Sequence, residues 1–303
     1  PGPAPRHDAV AMDAVSMDAV AVTAAVFSDT VCRLGEGPLW HPVQQQLFWF
    51  DILSRRLLTR DASGERHWEF DTHVSAAGWI DETALLVASA AALLRFDIAT
   101  GAHEVLAPLE ADNPATRAND GRADPWGGFW IGTMGIGAET GAGAIYRYYR
   151  GELRRLVPGV TISNAICFSP DGGHAFYTDT RDGRILRQRL SDADGWPRGA
   201  PEPWLDLAGE AFGPDGAVID AEGHFCNAQW GAGRVARYDP QGRLVGAWPV
   251  PARQSSCPAF GGPDLTTLFV TTAADGQEDD PGAGRTYALE TGVTGQEEHR
   301  VIL

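Results

Sequence analysis

Basic residues are scarce in this sequence. Lysine and arginine together number 24 against 40 acidic residues, for a net charge of −16, and the basic residues form no cluster. Phosphate-bearing partners are repelled by such a chain, which argues against nucleic acid and anionic membranes. No apolar run reaches the length of a membrane span. The start lacks a basic segment followed by an apolar core, so no signal peptide is expected. Only four cysteines occur, at 32, 167, 226 and 257, and none forms a CxxC pair. That excludes zinc-knuckle and thioredoxin-like motifs. Cys167 and Cys226 fall inside strand-like runs, where a reduced, buried thiol is expected, and with it a reducing, cytoplasmic compartment. None of the eight histidines has HxH or HExxH spacing, which leaves no His-rich zinc site. A GxSxG nucleophile elbow is also missing.

What is present is a slow pulse. Residues 1–20 repeat "DAVAM", "DAVSM" and "DAVAV" and carry no strand pattern, and an extension outside the fold is expected there. Over 21–303, a turn-rich bend precedes an apolar strand six times: "HPVQQQLFWF", "IDETALLVAS", "DPWGGFWIGT", "SPDGGHAFYT", "DAEGHFCNAQ" and "GPDLTTLFVTT". These strands start near Leu47, Leu85, Phe129, Ala175, Phe225 and Leu268, at intervals of 38 to 50 residues. Another strand follows each. An all-β chain with this period predicts a six-bladed β-propeller. A β-sandwich, the alternative, has no reason to keep such a period.

In a propeller the innermost strand of each blade lines the central channel. Counting back from the second strands, Glu36 and Asn164 stand 11 residues ahead, and Asn119 and Asp215 stand 10 ahead. The same phase falls near Ser75 and near Ser256 or Cys257 in the other blades. Taken singly, "NDG" at 119–121 and "DG" at 215–216 read as turns, Glu36 as a solvated turn residue and Arg117 as a surface charge. Independent turns have no reason to share one phase. Four polar side chains converging at one mouth need a cation or a polar ligand to satisfy them. The all-oxygen set suits Ca²⁺ or Mg²⁺ and also tolerates Mn²⁺, Fe²⁺ or Zn²⁺.

The segments "LGEGPLW" (34–40), "RANDGRADPWGGFWIGTM" (117–134), "SNAICFSPDG" (163–172), "GPDGAVIDAEGHFCNAQWGAGRVARYDPQG" (213–242) and "CPAFGGPDLTTLFVTTA" (257–273) resemble the SMP-30/gluconolactonase/luciferin-regenerating-enzyme family. The resemblance implies a six-bladed propeller with one divalent metal ion, of bacterial sugar-lactonase type. Carried over position by position, it implies Glu36, Asn164 and Asp215 as metal ligands, Asp215 also as catalytic base, and Arg117 and Asn119 as substrate contacts. Family members often place an acid three residues after the Met of "GTM". There it contacts substrate; that position here is Gly137, and Glu139, the nearest acid, is the substrate-contacting candidate that the resemblance offers in its place.

The expected activity is metal-dependent hydrolysis of a pentono- or hexonolactone, such as arabinono-, xylono-, galactono- or gluconolactone. The expected partner is that small molecule, and the expected state a monomer or weak homo-oligomer. The alternatives are a non-catalytic metal-binding regulatory propeller and a hydrolase of other esters or phosphotriesters. The long Gly-rich connections at 133–144 and 272–285 are expected over the same mouth as the polar set.

Overall fold

A computed structural model describes residues 22–303, so the extension expected over 1–20 lies outside the described residues. Twenty-four strands form six four-stranded antiparallel sheets. The innermost strands are Gly35–His41, Val74–Asp81, Thr116–Ala123, Ser163–Phe168, Gly213–Ile219 and Ser255–Gly261, in blades 1 to 6. Each packs on the next, and the sixth packs back on the first, so the ring is a six-bladed β-propeller. The second strands begin at Gln46, Ala84, Phe129, His174, Phe225 and Thr267, each within one residue of the position read from the sequence. No helix among the described residues is long and apolar enough to cross a membrane.

Composition sorts the strands radially. Inner strands such as "SSCPAFG" and "GPDGAVI" are rich in small residues, because six strands crowding one axis leave little room. Gly37 shows how little: a Cβ there would meet the Ser75 carbonyl oxygen of the next blade at 2.2 Å. Second and third strands carry the apolar bulk between blades. Phe48, Phe50 and Leu57 of blade 1 pack with Leu85, Val87 and Phe96 of blade 2. Full burial of each such side chain contributes about 1.5–3 kcal/mol. Outer strands are largely exposed, as in Gly64–Glu69. All four cysteines are buried and unpaired, and burial pushes the Cys32 thiol up to about 12.

Every inner strand carries an extra residue against its partner near its start, and that of blade 2 a second between Trp79 and Asp81. The register slips between Glu36 and Leu39, Val74 and Ala76, Ala118 and Gly121, Asn164 and Cys167, Pro214 and Ala217, and Ser255 and Cys257. These are β-bulges at one level of the ring, and a bulge re-aims side chains that a regular pleat would send to the faces. Two bulges use the left-handed region, at Gly37 (φ 52°) and Ala165 (φ 58°). For a non-glycine residue that conformation costs roughly 1–2 kcal/mol. "NDG" is therefore not a turn: Asn119, Asp120 and Gly121 lie inside the inner strand of blade 3. The turns at 169–172, 220–223 and 239–242 do join strands, as their Asp-Gly content implies.

The ends of the chain lock the ring. Ala25–Ser28 pairs with Thr286–Glu290 and supplies the outer strand of blade 6. Residues 294–302 then strap the far end of the channel. The Thr294 carbonyl accepts from Ala221 N (2.9 Å), Gln296 donates to Phe168 O (3.1 Å) and Ile219 O (2.8 Å), and Glu298 ion-pairs with Arg122. The Glu298 carbonyl accepts from Trp79 Nε1 (2.7 Å), and Ile302 N donates to Gly127 O (2.9 Å). Removing residues through Ser28 strips the strand pairing of blade 6. At ~1 kcal/mol per lost hydrogen bond, the expected cost is roughly 3 kcal/mol, a fall in Tm of about 5–10 °C by thermal unfolding. Removal of 1–20 alone leaves Tm unchanged.

Candidate active site

The starts of the inner strands and the ends of the second strands meet at one mouth of the channel. They enclose a cavity of about 550 Å³ walled by Glu36, Arg117, Asn119, Asn164 and Asp215, with Met134 and Trp230 from second-strand ends and Thr180 and Arg181 just beyond. The four phase-matched residues of blades 1, 3, 4 and 5 thus share one wall, and Arg117 joins them. Ser75 and Ser256, from blades 2 and 6, are buried nearby in sequence phase but do not line the cavity. Ser256 Oγ is instead engaged by the Gly35 carbonyl (2.5 Å) and Thr271 Oγ1 (2.9 Å).

Hydrogen bonds fix most of these side chains. Arg117 Nη1 donates to Asn119 Oδ1 (2.8 Å) and Ala118 O (2.9 Å). Asn119 Nδ2 donates across the blade boundary to Ser163 O (2.9 Å) and Asn164 Oδ1 (3.2 Å). Asn164 Nδ2 donates to Thr180 Oγ1 (2.8 Å), which donates on to Pro214 O (2.8 Å). The chain of bonds links blades 3, 4 and 5. It also assigns the amide orientations, with Asn164 Oδ1 accepting one bond and keeping a lone pair.

Glu36 and Asp215 are close enough to act on one another's carboxyl, and both are buried; Glu36 Oε2 also accepts from Gly37 N (3.0 Å). Burial first, and then the charge of Asp120, push the Glu36 carboxyl up to about 8. Burial first, and then Glu36 and Asp120, hold Asp215 well above the usual carboxylate range. Burial pulls Arg117 down to about 10, while Glu36 and Asp215 pull it back up, so it stays charged at neutral pH. Two buried carboxyls in contact, beside an amide oxygen with a free lone pair, suit a hard divalent ion. Glu36, Asn164 and Asp215 are the residues able to hold it.

Glu139 stands apart. It is exposed in the connection between second and third strands of blade 3, its Oε2 accepts from Gly137 N (3.1 Å), and it does not line the cavity. Of the two long connections, only Met134 at the root of the first reaches the cavity wall. Thr180 and Arg181 were missed from the sequence, although both follow a second strand and so sit at the same mouth. A separate trio, Asp220, Glu222 and His224, has ligand-like spacing. Arg237 fills it, pairing with Asp220 (2.6 Å) and Glu222 (2.9 Å).

A family model described as the SMP-30/Gluconolactonase/LRE-like region matches residues 34–274. The chain belongs to this family. Regucalcin, a calcium-binding protein of Agrobacterium tumefaciens, is 40% identical and superposes with a TM-score of 0.91, over 93% of this chain and 98% of that one. A pentonolactonase of Haloferax volcanii is 33% identical over 283 residues, covering 90% of this chain and 96% of the relative. An L-arabinolactonase of Azospirillum brasilense is 34% identical over 283 residues, covering 88% and 92%.

The Glu36–Asp215 contact has opposite effects with and without a cation. In metal-free protein both carboxyls bind protons more readily folded than unfolded. Their contribution therefore weakens the fold as pH rises from about 4.5 to about 8, the ordinary and folded values for Glu36. Glu36→Gln removes one charge from the pair. Metal-free Glu36→Gln is expected to unfold at or above the wild-type temperature at pH 8, while its calcium affinity falls by roughly tenfold or more. Calorimetric titration and thermal unfolding in chelator read the two effects separately. Unchanged calcium affinity would leave Glu36 a buried wall residue of its strand and not a ligand.

Proposed function

We propose that the protein hydrolyses a sugar-acid lactone, a pentono- or hexonolactone, to the aldonic acid, with one divalent ion held by Glu36, Asn164 and Asp215. The observation that carries this reading is the meeting of two contacting carboxyls, two amides and a guanidinium in one cavity of about 550 Å³. Its size suits a small molecule. Seven of its twelve lining residues are polar or charged, which favours a hydroxylated substrate over an apolar ester or phosphotriester. Pentonolactonase and arabinolactonase relatives at 33–34% identity support the reaction class. The all-oxygen donor set and the calcium-binding regucalcin relative favour Ca²⁺, with Mg²⁺, Mn²⁺, Fe²⁺ and Zn²⁺ the other candidates.

A bound divalent ion supplies Lewis-acid polarisation of the lactone carbonyl. The rest is work for the chain's own side chains. Asp215 orients the attacking water and takes its proton as the water oxygen bonds to the carbonyl carbon. The bond from that carbon to the ring oxygen then breaks, and the proton passes to the ring oxygen, which leaves as a hydroxyl. Arg117 and Asn119, already locked to one another, hydrogen-bond the ring oxygen or sugar hydroxyls. Preset donors of this kind need no reorganisation when charge develops on the substrate. Met134, Ile162 and Trp230 give the apolar walls that exclude bulk water.

A panel of pentono- and hexonolactones, assayed with added divalent ions and with chelator, tests the reading. Turnover of no lactone under any of these conditions would leave the metal-binding, non-catalytic alternative. Asp215→Asn is expected to lower kcat by ~10²–10⁴-fold in folded protein. If saturating calcium restores the rate, Asp215 is chiefly a ligand. A rate that stays low at full occupancy makes it the proton acceptor. Arg117→Ala is expected to lower kcat/KM by ~10²-fold or more with calcium affinity nearly kept. The reverse pattern would move Arg117 from substrate to metal.

A further inference from the structure

Asp120 is buried, yet it does not line the cavity. Its Oδ2 accepts a 2.7 Å hydrogen bond from the backbone N–H of Ile166, in the next blade. That N–H lies just past the bulge in the inner strand of blade 4, where the register slips between Asn164 and Cys167. Ala165, between Asn164 and Ile166, is fully buried with φ at +58°. A non-glycine residue keeps that conformation only when its surroundings over-determine it. The bulge leaves the Ile166 N–H outside the ladder, and a buried N–H without a partner is costly. Asp120 supplies that partner. Burial pushes the Asp120 carboxyl up to about 6, while the Ile166 N–H and then Arg122, in the same strand and paired with Glu298 of the strap, pull it back toward the carboxylate form that accepts.

We propose that Asp120 is a positioning residue for the metal site: its bond to the Ile166 N–H holds the blade 4 bulge in the one backbone shape that turns the Asn164 amide oxygen toward Glu36 and Asp215. The proposal rests on the metal role given to Asn164 above. It separates Asp120 from its neighbour Asn119, which touches the cavity directly. Outer groups that orient ligands typically govern metal affinity by ~10–100-fold.

The test compares Asp120→Ala with Asp120→Asn in the full chain. Asparagine keeps an oxygen able to accept the Ile166 N–H but carries no charge, whereas alanine removes the acceptor. The expected result is a fall in calcium affinity of about tenfold or more for alanine and within about threefold for asparagine, by calorimetric titration. In metal-free protein, hydrogen exchange at the Ile166 amide is expected to quicken at least tenfold in the alanine variant, relative to amides elsewhere in blade 4. Should the alanine variant not fold, the asparagine variant decides alone, and a loss above tenfold in calcium affinity overturns the proposal. Equal damage in both variants also overturns it, because charge and not the bond would then matter. Alanine with unchanged exchange at Ile166 overturns it as well. A wild-type protein that binds no calcium sinks the metal reading, and the exchange experiment still decides whether Asp120 holds the bulge.

Discussion

Two carboxyl groups pressed together out of water are the constraint around which this molecule is arranged. Glu36 and Asp215 come from blades 1 and 5, far apart in sequence, and their contact raises the free energy of the ionised site. Nothing local in either strand requires the pairing. It exists because ring geometry forces both to one mouth, and it is tolerable because a cation can sit against it. Arg117 lowers the cost in part, and it is itself drawn upward in basicity by the same two acids. The site is a place of stored electrostatic tension, as sites that bind ions commonly are.

The ring supplies rigidity, and the bulges supply aim. A regular inner strand would alternate its side chains between the two neighbouring blades. One added residue per strand, at the same level in all six blades, breaks that alternation near the mouth. Four blades then present an acid or an amide, while two present buried serines, of which Ser256 is bonded within the wall. The acids and amides occupy four of six equivalent positions on a repeating scaffold. The bond network from Arg117 through Asn119, Asn164 and Thr180 to the Pro214 carbonyl binds three of those blades at the point where error matters most.

Much of this could be read from the sequence because a propeller converts spacing into place. The blade period sets the second strands, and a count of ten or eleven residues back from them lands on Glu36, Asn119, Asn164 and Asp215. What the count could not reveal was chemistry that leaves the repeat. Asp120 looked like part of an "NDG" turn, and only its distance to Ile166 in another blade shows its work. Arg122 meets Glu298 at a separation of 176 residues, which no local pattern records. Glu139 was carried by resemblance alone, and its backbone turns the carboxylate to Gly137 and away from the cavity. Thr180 and Arg181 sit where strand polarity would put them, but "TRDG" reads like any exposed turn.

The ring is closed by segments far apart in sequence, and this bears on how it folds. Blade 6 is complete only when Ala25–Ser28 meets Thr286–Glu290, and the strap at 294–302 crosses the far end of the channel. Contacts of such separation form slowly, after loop entropy has been overcome. Until then the third strand of blade 6 has an open edge, and such an edge invites pairing with other chains. Loss of the strap would do more damage than its length suggests, because it is bonded to Trp79, Arg122, Phe168 and Ile219 and so fastens four different blades at once.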